Sequence, residues 1–444
     1  MNRARRWLSR STADYEPIEG PAAFEDEDGP LTSHTESNTP FSRSVYWVFF
    51  ILGVSMLWAW NMFLAAAPFF RQRFQPDKWA TAHSQSSILT VSTATNLASA
   101  FILAKLQESA SYPRRIIVSL LLNIIVFTVL ALSTIVLKDA SVKVYFGFLM
   151  VMVFGASLAT GVNQNGVFAY VSGFGREEYT QAIMSGQGLA GVLPSLAQTL
   201  SVLAVPEEVG ETSPDASRKS AFFCFITATG VSSLTLAAFV WLMKCQSLHA
   251  IDNHSDSFNT DQPPAKNVSL RTLFSKLHLP AISIYICFTV TMMFPVYTSK
   301  IESVRDSPDT PRLFQPAAFI PLAFFFWNAG DLVGRMLVLN PRYSLGHHPW
   351  VLLIFAITRV WFIPLYQLCN INGLGATVKS DIFYLFVVQL PFGVTNGYIS
   401  SCSMMGANYF VPADEREPAG GFMSLMLVGG LATGSVLSFF APGA

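Results

Sequence analysis

The chain alternates long apolar runs with short polar breaks. Runs of the length that crosses a bilayer as a helix, about 20 residues, fall near 44–70, 83–106, 115–137, 143–172, 180–205, 220–243, 276–298, 314–339, 348–370, 379–406 and 417–441. The pattern predicts an all-α polytopic membrane protein with eleven transmembrane helices. Two polar stretches organise it. Residues 1–43 are rich in Pro, Ser, Glu and Asp and predict a disordered cytosolic tail. Residues 244–275 carry Asp, Asn, Ser and Pro263-Pro264, the composition of a linker. The expected organisation is a six-helix bundle over 44–243, a cytosolic linker over 244–275, and a five-helix bundle over 276–444. The tail lacks the apolar core of a cleavable signal peptide, so the first span is expected to direct insertion. Lys and Arg near the span ends balance between the two sides, so charge alone does not orient the chain. Sequons at Asn253 and Asn267 go unused if the linker is cytosolic. Tyr15-Glu16-Pro17-Ile18, followed by the acidic run Glu25–Asp28, fits either a sorting signal or an ordinary solvated tail.

Composition agrees with the pattern. Charged residues make up 13% of the 444 positions, against about 25% in a soluble domain. A formal net charge of zero argues against a nucleic-acid partner. The five cysteines have no paired spacing and read as buried apolar side chains, not as a disulfide or metal framework. No phosphate-binding Gly-rich loop, His-Glu-x-x-His motif or Ser-His-Asp set occurs, so neither a cofactor nor a metal is expected. A membrane-embedded enzyme is the weaker class beside a transporter.

The polar residues inside apolar runs carry the chemistry. Asn328, Asp331 and Arg335 share one face of the eighth span, and Asp331 and Arg335 are spaced to touch. An ionisable residue at membrane depth costs about 3 kcal/mol, so two of them do not face lipid. Either they pin two helices together or they form the polar wall of a solute pathway. In the first span, Leu57, Trp60, Asn61 and Leu64 share a side. A ring beside an amide suits a flat heterocycle, or simply packs. In the fourth span Asn163, Gln164 and Asn165 need partners, whether across helices or in a polar solute. Gly186, Gly188 and Gly191 in the fifth span allow close helix approach or sliding. Pro295 is expected to kink the seventh span, and Arg359 in the ninth requires an internal partner or a path to the interface.

Taken in order, these motifs resemble the equilibrative nucleoside transporter family. The matching stretches are Trp60-Asn61, Tyr179-Thr180 with Ile183–Gly191, Thr291 with Phe294-Pro295, Asn328–Arg335, Arg359 with Pro364 and Cys369-Asn370, Asn396-Gly397-Tyr398, and Ala419-Gly420 with Gly430-Leu431 and Gly434. The acidic tail and the Asn-Gln-Asn segment are most similar to the fungal branch, which implies a vacuolar membrane, with the plasma membrane as the alternative. The resemblance implies a six-plus-five bundle related to the major facilitator fold. It also implies passive, alternating-access movement of nucleosides, with nucleobases as a further class, by a monomer in the lipid bilayer. Carried over, Leu57, Trp60, Leu64, Leu89, Gln164, Asn165, Phe294, Phe324, Asn328, Asp331, Arg335 and Leu431 would contact substrate. Asn61, Gly186, Gly191 and Arg359 would pack and gate. Where the family has Pro before Trp-Asn and Pro-Ala-Ser before Tyr-Thr, this chain has Ala59 and Arg176-Glu177-Glu178. Asn165 stands where animal members place a Gln, which leaves open whether it or Gln164 reads the base. A facilitator of another small polar solute and a proton-coupled nucleoside transporter are the alternatives.

Overall fold

The computed structural model describes residues 41–107, 110–204, 214–254, 268–305, 310–438 and 440. Residues 1–40 of the tail, with the sorting motif, and Asn267 lie outside these residues. The first half contains α1 (Arg43–Ala65), α2 (Ala67–Phe74), α3 (Lys78–Lys105), α4 (Tyr112–Val136), α5 (Val142–Gly173), α6 (Glu177–Ala204) and α7 (Pro214–His254). The second contains α8 (Leu270–Thr291), α9 (Met293–Thr298), α10 (Pro316–Leu337), α11 (Pro349–Thr358), α12 (Phe362–Gln367), α13 (Leu390–Gly406) and α14 (Arg416–Ser438). Helix α7 overruns the expected boundary at 243 and continues to His254.

Among the described residues, nine helices are long and apolar enough to cross a membrane. The long helices α6 and α13 fall outside that set. They are rich in Gly, Ser, Gln and Asn, which bury against other helices instead of facing lipid.

Local chemistry sets the helix ends. Asp77 accepts from the backbone N–H groups of Trp79 and Ala80, and Ser141 and Ser269 cap α5 and α8 in the same manner. Pro113, Pro316 and Pro349 occupy first-turn positions, where no N–H is needed. Interior prolines break the ladder. Pro295 cannot bond the Thr291 carbonyl, and the helix divides into α8 and α9 around Met292. Pro364 likewise cannot bond the Val360 carbonyl, and the chain tightens to a 3₁₀ turn over Arg359–Trp361 between α11 and α12. Ahead of Pro391, residues Phe383–Gln389 widen to a π-helix that leads into α13.

Burial is uneven along the helices. In α5 only about one residue per turn is buried up to Gly161, whereas Asn163–Ser172 is buried without interruption. The same all-round burial covers Tyr179–Gly188 at the start of α6, Ile399–Gly406 at the end of α13, and Pro418–Ser424 at the start of α14. All four segments lie at one end of the bundle, the end where α1 begins. There the α5–α6 hairpin of the first half meets the α13–α14 hairpin of the second. A Cβ on Gly420 would fall 2.2 Å from the Phe168 carbonyl, and one on Gly173 would fall 2.9 Å from the Glu417 side chain. This end is sealed. At the opposite end Leu64, Leu193 and Leu200 are 40–56% exposed. A tie between the halves there runs from Arg312, which donates to the Val202 and Leu203 carbonyls at 3.0 and 3.2 Å.

Candidate functional site

Helix α6 lies between α1 and α10, and its glycines set the spacing. A Cβ at Gly186 would fall 2.1 Å from the Phe50 carbonyl of α1. One at Gly188 would fall 3.0 Å from the Arg335 side chain of α10, and one at Gly191 would fall 2.4 Å from Asn328 Oδ1. Asn61 donates to the Ala190 carbonyl at 2.8 Å, so α1 and α10 grip the same turn of α6 from two sides. Helices α10 and α13 interlock the same way. Gly330 and Gly334 face the Leu390 and Val394 carbonyls, while Gly393 and Gly397 face the Trp327 and Asp331 carbonyls.

This close approach brings three helices to one ion pair. Arg335 Nε donates to Asp331 Oδ2 at 2.7 Å, and the two residues are 3% and 5% exposed. Arg335 Nη1 crosses to α6 and donates to the Met184 carbonyl at 3.0 Å and to Gln187 Oε1 at 3.2 Å. Asp331 Oδ1 accepts from Asn396 Nδ2 of α13 at 2.6 Å. Away from water such charge-assisted bonds are strong, and removing one partner of a buried pair costs about 3–5 kcal/mol.

The sequence leaves these residues either pinning helices together or forming the polar wall of a solute pathway. In this conformer the ion pair is enclosed by α6, α10 and α13, because Arg335 finds acceptors on α6. Asn328, one turn toward the open end, is half-buried and donates to its own helix at the Phe324 carbonyl.

Arg359 is fully buried. Its Nη1 donates to the Cys287 carbonyl at 2.5 Å and to Thr291 Oγ1 at 3.0 Å, its Nε donates to Thr395 Oγ1 at 3.2 Å, and its Nη2 donates to the Phe392 carbonyl at 3.3 Å. Its guanidinium also lies 4.5 Å from the Phe392 ring. Among the described residues no carboxylate pairs with it directly. Thr291 Oγ1 is 2.6 Å from Asn396 Oδ1, which joins Arg359 to the Asp331 network.

The remaining predicted residues form separate groups. Phe294 stacks on Trp327 at 4.2 Å, with Phe324 edge-on to Phe294 at 5.1 Å. Trp60 stacks on Phe63 and lines a small cleft with Ala59, Phe127, Val153, Ala156 and Thr160. Leu57, Leu89 and Leu431 are half-buried on α1, α3 and α14. Asn165 Oδ1 accepts from Arg115 Nη1 at 2.7 Å, and its Nδ2 lies against Gly421 of α14. Gln164 is 8% exposed beside it.

Sequence reasoning left Gln187, Cys287, Thr291 and Asn396 out of the site. Gln187 and Asn396 carried a usable signal, since each is a carboxamide in an apolar run and therefore needs a partner. Thr291 stood in one of the stretches that carry the family resemblance, and Cys287 carried no signal.

Helices packed all round at one end about a buried ion pair, and more loosely at the other, give this membrane protein the major facilitator architecture. The proton:xylose symporter XylE shares the fold with a TM-score of 0.55 at 12% identity, over 90% of this chain and 91% of that one. FucP in the outward conformation has a TM-score of 0.53 at 12% identity, over 90% and 97%. The chain belongs to the nucleoside transporter family, whose model matches residues 149–263 and 252–442. Nucleoside transporter FUN26 of Saccharomyces cerevisiae is 31% identical over 443 residues, covering 89% of this chain and 83% of that protein. Equilibrative nucleoside transporter 1 of Mus musculus is 28% identical over 471 residues, covering 91% and 98%.

Proposed function

We propose that the chain moves nucleosides passively across a membrane, by rocking a six-helix half (44–243) against a five-helix half (276–444) about a central site. The observation that carries this reading is the Asp331–Arg335 pair, which bonds α6 and α13 just inside the sealed end. A nucleoside offers a flat base and sugar hydroxyls. Asp331 accepts from the hydroxyls, and Arg335 holds the carboxylate in place. Phe294 and Phe324 supply rings from one half. Trp60, with Leu57, Leu64 and Leu89, supplies the other, and Leu431 closes the site from α14. Asn165 and Gln164 read the base. Separating Arg335 from Met184 and Gln187 opens the sealed end, so ground-state closure and substrate binding share one pair of side chains. Gly186, Gly191 and Asn61 are the contacts across which the halves slide, and Arg359 anchors the second half.

In this reading α6 and α13 span the membrane with the nine more apolar helices, for eleven spans. The sealed end faces the cytosol, the working unit is a monomer, and the membrane is vacuolar. The test is uptake of radiolabelled uridine into proteoliposomes. Asp331→Ala and Arg335→Ala are each expected to abolish it while still inserting. Normal uptake in both overturns the assigned role. An imposed pH difference is expected to drive no accumulation.

A further inference from the structure

Between Arg359 and Asp331 lies a hydrogen-bond chain whose direction is dictated by chemistry. A guanidinium can only donate, so Thr291 Oγ1 accepts from Arg359 Nη1 at 3.0 Å. The threonine hydroxyl has one proton to give. It lies 2.6 Å from Asn396 Oδ1 and 2.7 Å from the Cys287 carbonyl. The Cys287 carbonyl already receives Arg359 Nη1 at 2.5 Å. Asn396 Oδ1 has otherwise only the weak Cys287 thiol donor at 3.5 Å. An unmet buried acceptor is expensive, so the proton goes to the amide. That choice fixes the carboxamide with its NH₂ toward Asp331 Oδ1, at 2.6 Å.

We propose that Arg359, Thr291 and Asn396 are a positioning relay. They hold the Asp331 carboxylate at one rotation, with Oδ1 pinned from α13 and Oδ2 pinned by Arg335, so that its remaining lone pairs are aimed at the sugar of a bound nucleoside. The proposal rests on the reading that Asp331 meets the sugar hydroxyls. Thr291 is the last residue of α8, just before the break that places Phe294 against Trp327. One relay therefore ties the aromatic wall and the carboxylate to the same frame. Without the threonine proton the amide oxygen keeps only the weak Cys287 thiol donor, so the carboxamide is held firmly at its Asp331 end alone. The carboxylate and amide can then rock together, and the aim of the carboxylate is lost.

The test is the affinity of purified full-length protein for uridine and for 2′,3′-dideoxyuridine, taken from the concentration dependence of thermal stabilisation. This readout does not require a variant to transport. Thr291→Val keeps the side-chain shape and removes the hydroxyl. Its affinity for uridine is expected to fall about tenfold, the scale of one hydrogen bond to a charged group, with dideoxyuridine affinity unchanged. Thr291→Ser is expected to restore the uridine affinity and to leave the dideoxyuridine affinity where it was. Asn396→Ala, which removes the middle of the chain, is expected to show the same uridine-selective loss and serves if Thr291→Val does not fold. A merely structural role would lower both affinities alike, or lower only the melting temperature, and would overturn the relay. Asp331→Asn separates the two ideas. If it does not discriminate between the nucleosides, the sugar reading falls. If it does and the Thr291 and Asn396 variants do not, the relay alone falls.

Discussion

The two ends of the bundle contain the same helices and obey different rules. At the open end α5 is buried on about one residue per turn, the pattern of a helix with lipid on most of its circumference. At the sealed end the same helix is buried on every residue from Asn163 to Ser172. Gly147, near the open end, has nothing within 4 Å of where a Cβ would stand, whereas Gly334 has the Val394 carbonyl at 2.1 Å. In lipid, apolar surface gains nothing by meeting apolar surface. A contact between helices therefore has to come from close backbone approach and from polar groups that find partners only there. The sealed end concentrates both.

The contrast can be attacked at its strongest point first. Removing either member of the Asp331–Arg335 pair strands a buried charge and is expected to cost about 3–5 kcal/mol, alongside the loss of uptake. Thermal unfolding in detergent measures it, and an unchanged midpoint would mean that the pair is not what holds the end together. A matched glycine substitution comes next. Gly334→Ala is expected to destabilise by about 1–3 kcal/mol, because the Val394 backbone cannot yield. Gly147→Ala is expected to be neutral or to stabilise by up to about 1 kcal/mol through helix propensity. Equal effects would erase the distinction between the ends.

A smaller effect is expected at the pair between Lys276 and Glu415, 2.6 Å apart at the sealed end, with the lysine side chain 36% exposed and the glutamate 5%. Lys276→Met should lower stability by about 1 kcal/mol, less at high salt, as unfolding at two ionic strengths would reveal. The smallest expected effect is a pH dependence. Burial, with the Glu178 charge adding to it, pushes the Glu177 carboxyl up from 4.5 to about 7 at the first residue of α6. A raised carboxyl binds its proton more tightly in the folded chain. Its stabilising share is thus complete below pH 4.5 and is lost as pH rises toward about 7. The midpoint of Glu177→Gln should vary less across that window than that of the parent chain. Identical slopes would remove Glu177 from the account of the sealed end.

Particular residues mark how far the sequence could be read. The spacing of Asp331 and Arg335 announced a contact because both sit on one helix, where four residues bring side chains together. Pro295 announced a break because a missing N–H acts locally. The glycines of α6 announced close approach, though not to which neighbour. Gln187 and Asn396 went unassigned because each meets its partner on another helix. Arg359 required an internal partner or a path to the interface, and only the packing of α8 and α13 around it revealed a carbonyl and a hydroxyl on the one and a ring on the other.

What the sequence determined by itself was therefore everything that depends on neighbours along the chain: the apolar runs, the helix ends and breaks, the ion-pair spacing, and the requirement that buried polar groups be matched. Tertiary structure alone decided with what they are matched, that the ion pair lies enclosed and not on an open wall, and which end is shut. Those depend on backbones meeting across about 150 positions of sequence, as when Arg335 reaches Met184, and hydrophobic periodicity carries no information about such partners.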